Sequence, residues 1–149
     1  MVSRRQFLQV TAAAAALKAT GAAGAAAVAA APKRLRLLFL GGTGFIGPHQ
    51  VEYALARGHE GTIFNRGRKS GLYGDQVEEL TGDRDARQGD GLTALKGSRS
   101  WDVVIDNSGY VPRHVRDSAE LLEGRVGRYL FVSTVAVYDF AAPDAPLVF

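Results

Sequence analysis

The chain of 149 residues contains no cysteine. Disulfides, thiolate nucleophiles and cysteine-ligated metals are thereby excluded. His49, His59 and His114 share no metal-ligand spacing, and each reads as a surface side chain, His114 on a polar helix face. Residues 1–31 hold Arg4, Arg5 and Lys18 but no acid. The whole chain carries a formal charge of +3, yet the remainder holds fifteen basic and fifteen acidic residues. The positive balance belongs to the amino end and is no footprint for a polyanion, so no nucleic-acid partner is expected. No lysine follows Lys96, and no repeat or long linker divides residues 32–149.

Ser3-Arg4-Arg5-Gln6-Phe7-Leu8-Gln9 resembles the S-R-R-x-F-L-K pattern of twin-arginine export signals, with Gln9 in place of lysine. An alanine-dominated stretch follows from Val10 to Ala31, and Ala27-Val28-Ala29 suits signal-peptidase cleavage after Ala29. Residues 1–31 are therefore expected to be a signal segment. The expected partner is the twin-arginine export machinery, and the expected location is the periplasm or cell envelope. A membrane anchor is the alternative. It needs about 20 mostly apolar residues, whereas Lys18 interrupts this stretch, and alanine transfers less favourably than leucine. The twin-arginine route carries folded proteins, which suits a domain without disulfides.

The remaining residues, 32–149, suffice for one domain with its own core. Apolar runs alternate with amphipathic ones, the pattern of a parallel α/β sheet. Strands are expected at Leu35–Leu40, Thr62–Phe64, Val77–Thr81, Asp102–Asp106 and Tyr129–Ser133. The first helix carries Pro48 in its opening turn and buries Val51, Ala54 and Leu55, ending at Gly58. Leu92–Leu95 reads as a short helix. Pro112–Leu122 reads as a longer one with Val115, Ala119 and Leu122 on its apolar face. Trp101 reads as a filler of the core edge, and Arg113 and Arg116 as a solvated helix face. A doubly wound sheet follows, with any ligand at the carboxyl ends of the strands.

Gly41, Gly44 and Gly47 stand three residues apart in L-F-L-G-G-T-G-F-I-G, between the first strand and the first helix. Gly41 allows a tight turn, Gly44 lets backbone approach a phosphate, and Gly47 permits close packing of the helix. Phe45 and Ile46 complete the turn. Its N–H groups at a helix N-terminus suit a pyrophosphate, so a dinucleotide cofactor is expected. The second strand ends in I-F-N-R-G-R-K-S, with no acid to receive a ribose 2′-hydroxyl. Asn65 and Arg66, with Arg68 and Lys69, instead suit a 2′-phosphate. The expected cofactor is NADP, with NAD as the alternative.

G-G-T-G-F-I-G, F-N-R-G-R, T-G-D-R-D and V-S-T-V-A-V-Y together resemble the extended short-chain dehydrogenase/reductase family, in its epimerase/dehydratase branch. The likeness spans about residues 35–140. It implies a doubly wound parallel Rossmann-type sheet and a sugar or nucleotide-sugar substrate. It implies that Asp83 and Arg84 lie by the adenine, and that Asn107, Ser108 and Gly109 lie beside the cofactor ribose. Thr134 matches the family's catalytic Ser/Thr, and Tyr138 a non-catalytic tyrosine followed here by Asp139 rather than glycine.

The family's proton-transfer pair, Tyr-x-x-x-Lys, is missing. Tyr53 is followed at the fourth place by Arg57, Tyr73 by Val77, Tyr110 by His114, Tyr129 by Ser133 and Tyr138 by Ala142. The lysine would depress the tyrosine pKa so that a phenolate can act as base. The expectation is therefore a Rossmann-type domain cut short after its fifth strand, without its substrate domain. Two other readings stay open: a non-catalytic NADP-binding or sensor module, and a gene fragment with no function of its own. Gly61, inside the second strand, is a smaller departure.

Overall fold

The computed structural model describes residues 28–134. The expectations for residues 1–27, and for Tyr138 and Asp139, lie outside them. Five strands form one sheet: β1 (Arg36–Leu40), β2 (Glu60–Asn65), β3 (Val77–Thr81), β4 (Trp101–Asp106) and β5 (Val126–Phe131). Their order is β3-β2-β1-β4-β5, and every pairing is parallel. Two α-helices, α1 (Gly47–Ala56) and α2 (Pro112–Leu122), and two single 3-10 turns, Gly74–Gln76 and Thr93–Leu95, make the connections. This is the doubly wound α/β sheet expected from the alternating pattern. Among the described residues, no helix is long and apolar enough to cross a membrane.

β1 is central because its residues are apolar on both faces. Leu38 and Leu40 point into a cluster with Phe64, Leu95, Trp101, Val104 and Leu122 of α2. Leu37 and Phe39 point the other way, onto Val51 and Ala54 of α1, with Ile63, Tyr73 and Val77. Leu38, Phe39 and Leu40 are fully buried. Burying a side chain of that size contributes about 1.5–3 kcal/mol, so β1 anchors both layers.

β2 and β5 differ most from the sequence reading, while β1 begins one residue later than expected and β4 one residue earlier. β2 starts at Glu60, because Glu60 N–H donates to the Leu35 carbonyl and Arg36 pairs with Glu60. β5 starts at Val126, which pairs with Trp101, and ends at Phe131. Gly61 is accommodated inside β2: a Cβ there would meet Val77 Cγ2 at an ordinary 3.4 Å. On α2 the fully buried residues are Ser118 and Leu122, whereas Val115 and Ala119 are only half-buried. Ser118 tolerates burial because its hydroxyl bonds the helix carbonyls of His114 and Val115 at 2.9 and 3.0 Å.

The chain reverses direction across the sheet between β1 and β4. Hydrogen bonding continues one residue past each strand end there. Gly41 N–H donates to Phe64 O, Asn107 N–H to Leu40 O, Gly82 N–H to Asn65 O and Val132 N–H to Asp106 O. These bonds hold the starts of the segments after β1, β3, β4 and β5 in a row along the sheet's carboxyl edge. β5 lies at one edge of the sheet, with Leu130 and Phe131 exposed.

Candidate functional site

A cavity of about 810 Å³ opens over that row of loops. Its size falls within the 300–1,000 Å³ common for cofactor-sized ligands. Gly41, Gly44, Phe45, Ile46 and Gly47 form one wall. Asn65, Arg66, Arg68 and Lys69 follow from the end of β2, then Asp83 and Arg84 from β3. Asn107 and Ser108 come from β4, and Thr134 from the segment after β5. All fourteen of these residues, singled out from the sequence, therefore line one crevice, and Gly109 lines it with them.

The glycines do different work. Gly41 has φ +91°, a left-handed conformation that suits glycine, and packs on Ser108: a Cβ there would meet Ser108 Cβ at 3.0 Å. At Gly47 a Cβ would lie 2.5–2.7 Å from the backbone of Gly41 and Gly42. At Gly44 it would meet only the Gly41 carbonyl, at 3.9 Å, so that residue is exposed with space around it. The first turn of α1 holds no acid, and its N-cap, Ile46, makes no side-chain cap bond. The helix start thus meets the cavity at Ile46 and Gly47 with no side chain capping it.

Charge is distributed unevenly around the opening. Arg66, Arg68 and Lys69 are exposed, and none of them forms an ion pair among the described residues. Asn65 Oδ1 accepts from Gly67 N–H at 2.6 Å, which leaves its buried Nδ2 unpartnered. Asn107 Nδ2 donates to Gln50 Oε1 at 2.6 Å, and its Oδ1 is likewise unpartnered, as is Ser108 Oγ. Buried polar atoms without partners are uncommon. Their gathering at one cavity fits a polar ligand.

Arg84 and its neighbours depart from the simple expectation. Its side chain is 9% exposed and its Nη2 lies 2.6 Å from Asp106 Oδ2. The guanidinium is drawn into the core beneath the cavity rather than held out toward a base. Asp106 is fully buried and also accepts from Tyr129 Oη at 2.6 Å and Ser108 N–H at 3.0 Å. Burial and the Asp106 hydrogen bond push the Tyr129 phenol up to about 12. From the sequence, Asp106 reads only as one of two acids, with Asp102, that bracket the fourth strand and need not be an acid/base pair, and Tyr129 only as a tyrosine with no lysine four residues on. A buried carboxylate at a strand end has no periodic signature.

Arg113 and His114 correct the reading of α2 as a solvated face. Arg113 Nη2 lies 2.6 Å from Asp85 Oδ2, with Nε 3.3 Å from Oδ1. The His114 ring is 14% exposed, lines the cavity and has neither nitrogen hydrogen-bonded. Asp85 thus fastens the loop after β3 to the start of α2. The Arg113 hydrogen bond, with the Arg87 N–H, holds the Asp85 carboxyl well below the usual carboxylate range. A depressed folded pKa means that the unfolded chain binds its proton first as pH falls. The latch's contribution is therefore complete above about pH 5 and lost progressively below about pH 4. Asp85→Asn is expected to lower Tm at pH 7 and to flatten the decline between pH 4 and 2.5. An unchanged acid limb in thermal melts would count against the latch.

His49 is exposed on α1, and His59 Nδ1 accepts from Leu35 N–H at 3.2 Å, so neither meets the cavity. Trp101 is 4% exposed and donates to Thr62 Oγ1. Asp102 accepts from Arg36 N–H at the opposite end of β4 from Asp106. Tyr110 and Phe131 line the cavity and were not foreseen there. Among the described residues, no group of three His, Asp or Glu side chains is placed to hold a metal.

Fold and crevice define a Rossmann-like parallel α/β protein with a cleft at its switch point. No family model matches the chain, and no curated protein matches it either. Among solved structures, the X-ray structure of Pen from Bacillus thuringiensis is similar over 60% of this chain, at 20% identity and a TM-score of 0.39. The chain spans 30% of the length of that protein. A likeness of that degree carries no information on ligand or activity.

Proposed function

We propose that the chain is the NADP-binding portion of an epimerase/dehydratase-like oxidoreductase that acts on a sugar or nucleotide-sugar. We further propose that it is exported by the twin-arginine route. The observation that carries the cofactor reading is the pairing of an uncapped glycine turn with three cations, Arg66, Arg68 and Lys69, that form no ion pair among the described residues, around one cavity. The turn's N–H groups suit a pyrophosphate. The cations at the end of β2 suit a 2′-phosphate, for which arginine offers a planar donor fork. Bound NADP would supply hydride transfer to or from a substrate carbon. Thr134, on the cavity wall, would hydrogen-bond the substrate oxygen.

Calorimetric titration of the full chain with NADP and NAD tests the cofactor. Arg66→Ala is expected to weaken NADP by roughly tenfold or more, the range for a charge-assisted hydrogen bond. NAD should weaken by no more than about twofold in the same variant, since it lacks the phosphate. An unchanged ratio of the two dissociation constants would remove Arg66 from the site.

The missing Tyr-x-x-x-Lys pair favours a second reading, a module that binds NADP without turning it over. This chain holds no tyrosine with a lysine four residues on. The 149 residues by themselves are therefore expected to bind cofactor and to show no epimerase or dehydrogenase turnover. Activity from this chain alone would overturn that reading.

A further inference from the structure

Tyr73 lies between β2 and β3, four residues beyond Lys69. Its ring belongs to the core cluster on the α1 side of the sheet and is only 7% exposed, packed with Phe39, Val51, Ile63 and Val77. Its hydroxyl donates to the Gly42 carbonyl at 2.7 Å, 31 positions back along the chain. Burial, reinforced by the nearby charges of Glu52 and Glu79, pushes the phenol's pKa up, so the donor keeps its proton at neutral pH.

Peptide planarity gives this bond a consequence. In a trans peptide the C=O and N–H point in opposite directions. Tyr73 holds the Gly42 carbonyl toward the core, so the Thr43 N–H of the same plane is turned outward, where Thr43 lines the cavity. Glycine is needed for this approach: a Cβ at position 42 would lie 2.7 Å from Ile63 Cγ2.

The basic segment is tied down along its length. At its start Gly67, at φ +69°, donates its N–H to Asn65 Oδ1 at 2.6 Å. Further on, Gly71 N–H donates to Glu79 Oε1 at 2.9 Å. Tyr73 then bonds the phosphate turn itself. Arg66, Arg68 and Lys69 therefore ride on a loop whose far end is fastened to the turn that faces them across the cavity.

We propose that Tyr73 is a positioning residue that holds the glycine turn and the basic segment as one recognition unit, aligning the Thr43 N–H toward a ligand's phosphate. The ligand named here rests on the dinucleotide reading; the coupling of the two loops does not.

Tyr73→Phe in the full chain removes the hydroxyl and keeps the ring in the core. Without any ligand, amide hydrogen exchange is expected to quicken by roughly tenfold at Gly41, Gly67 and Gly71. Exchange at Phe39 and Ile63, inside the sheet, should stay as in the wild type. The variant should also bind ADP, a pyrophosphate probe, about five- to tenfold more weakly, and 2′-AMP, which lacks a pyrophosphate, by no more than about twofold.

Unchanged exchange at Gly41, Gly67 and Gly71 overturns the proposal. An equal rise across the whole sheet overturns it too, because Tyr73 would then only fill the core. If exchange changes as expected but ADP and 2′-AMP weaken alike, the phosphate-aligning role is wrong. A wild-type chain that binds neither nucleotide defeats the dinucleotide reading, and the ligand-free exchange result still decides the coupling of the loops.

Discussion

Gly47→Ala is expected to abolish measurable NADP binding and to lower Tm by roughly 5–15 °C. The added Cβ would stand 2.5 Å from the Gly42 carbonyl carbon and 2.7 Å from the Gly41 and Gly42 oxygens. All three atoms are backbone, so no flexible side chain can swing aside. Either α1 or the glycine turn must move. Forcing a methyl into a packed site costs about 1–3 kcal/mol. The binding loss should be larger than the stability loss suggests. A ligand phosphate at this turn depends on several N–H groups at once, and charge-assisted bonds of that kind contribute about 1.5–3 kcal/mol each. Misplacing two of them weakens affinity by about a hundredfold or more. Gly44→Ala is the matched control. A Cβ there has room, so Tm should hold while affinity falls through obstruction of the ligand. Thermal melts and calorimetry on both variants check this. If Gly47→Ala binds NADP as the wild type does, the turn is not a phosphate site.

Gly47 also shows why the site was legible in the sequence. Its neighbours fix a strand, a turn and a helix through local spacing alone, and a parallel sheet brings the carboxyl ends of its strands together. Once the turn is placed, the residues ending β2, β3 and β4 must share its crevice. The apolar alternation of β1 likewise reports burial on both faces, since Leu38 and Leu40 serve one layer and Leu37 and Phe39 the other. What escaped was polar and long-range. Ser118 was passed over on α2 because periodicity counts apolar residues, yet its hydroxyl is satisfied by its own helix and it sits in the core. His114 looked like part of a polar helix face until the loop holding Asp85 was folded against it. Tyr73 bonds a carbonyl 31 positions away, a contact without local trace. The edges of β2 and β5 moved for the same reason, since a strand's limit is set by its partner's hydrogen bonds rather than by its own residues.

Asp106→Asn is expected to destabilise the fold by about 3–5 kcal/mol, the usual result of removing one charge from a buried pair. Asp106 is fully exclosed from solvent, and Arg84, its partner at 2.6 Å, has a side chain only 9% exposed. The amide nearly matches the carboxylate in shape, so little of the loss comes from packing. It comes from Arg84, whose charge would remain buried with its counter-ion gone. Among the described residues Arg84 Nε and Nη1 have no hydrogen-bond partner, and besides Asp106 the guanidinium reaches only Tyr129 Oη, at a long 3.5 Å. Tyr129 adds to the effect, because its proton is committed to Asp106 at 2.6 Å, with Ser118 Oγ 2.7 Å from the same phenol oxygen. A loss of this size should lower Tm by on the order of 15 °C. The cause is separable from simple loss of a core residue. Arg84→Met combined with Asp106→Leu removes both charges, and such apolar replacements are often neutral or stabilising. The double variant should therefore melt above Asp106→Asn. The same network sets an alkaline limit. Tyr129 titrates near 12 in the fold, above the ordinary tyrosine value of about 10. Its contribution is thus complete below about pH 10 and falls as pH rises toward 12, where a phenolate would face the Asp106 carboxylate. Tyr129→Phe should remove that part of the alkaline loss. A double variant no more stable than Asp106→Asn would show that Arg84 is not the charge left stranded.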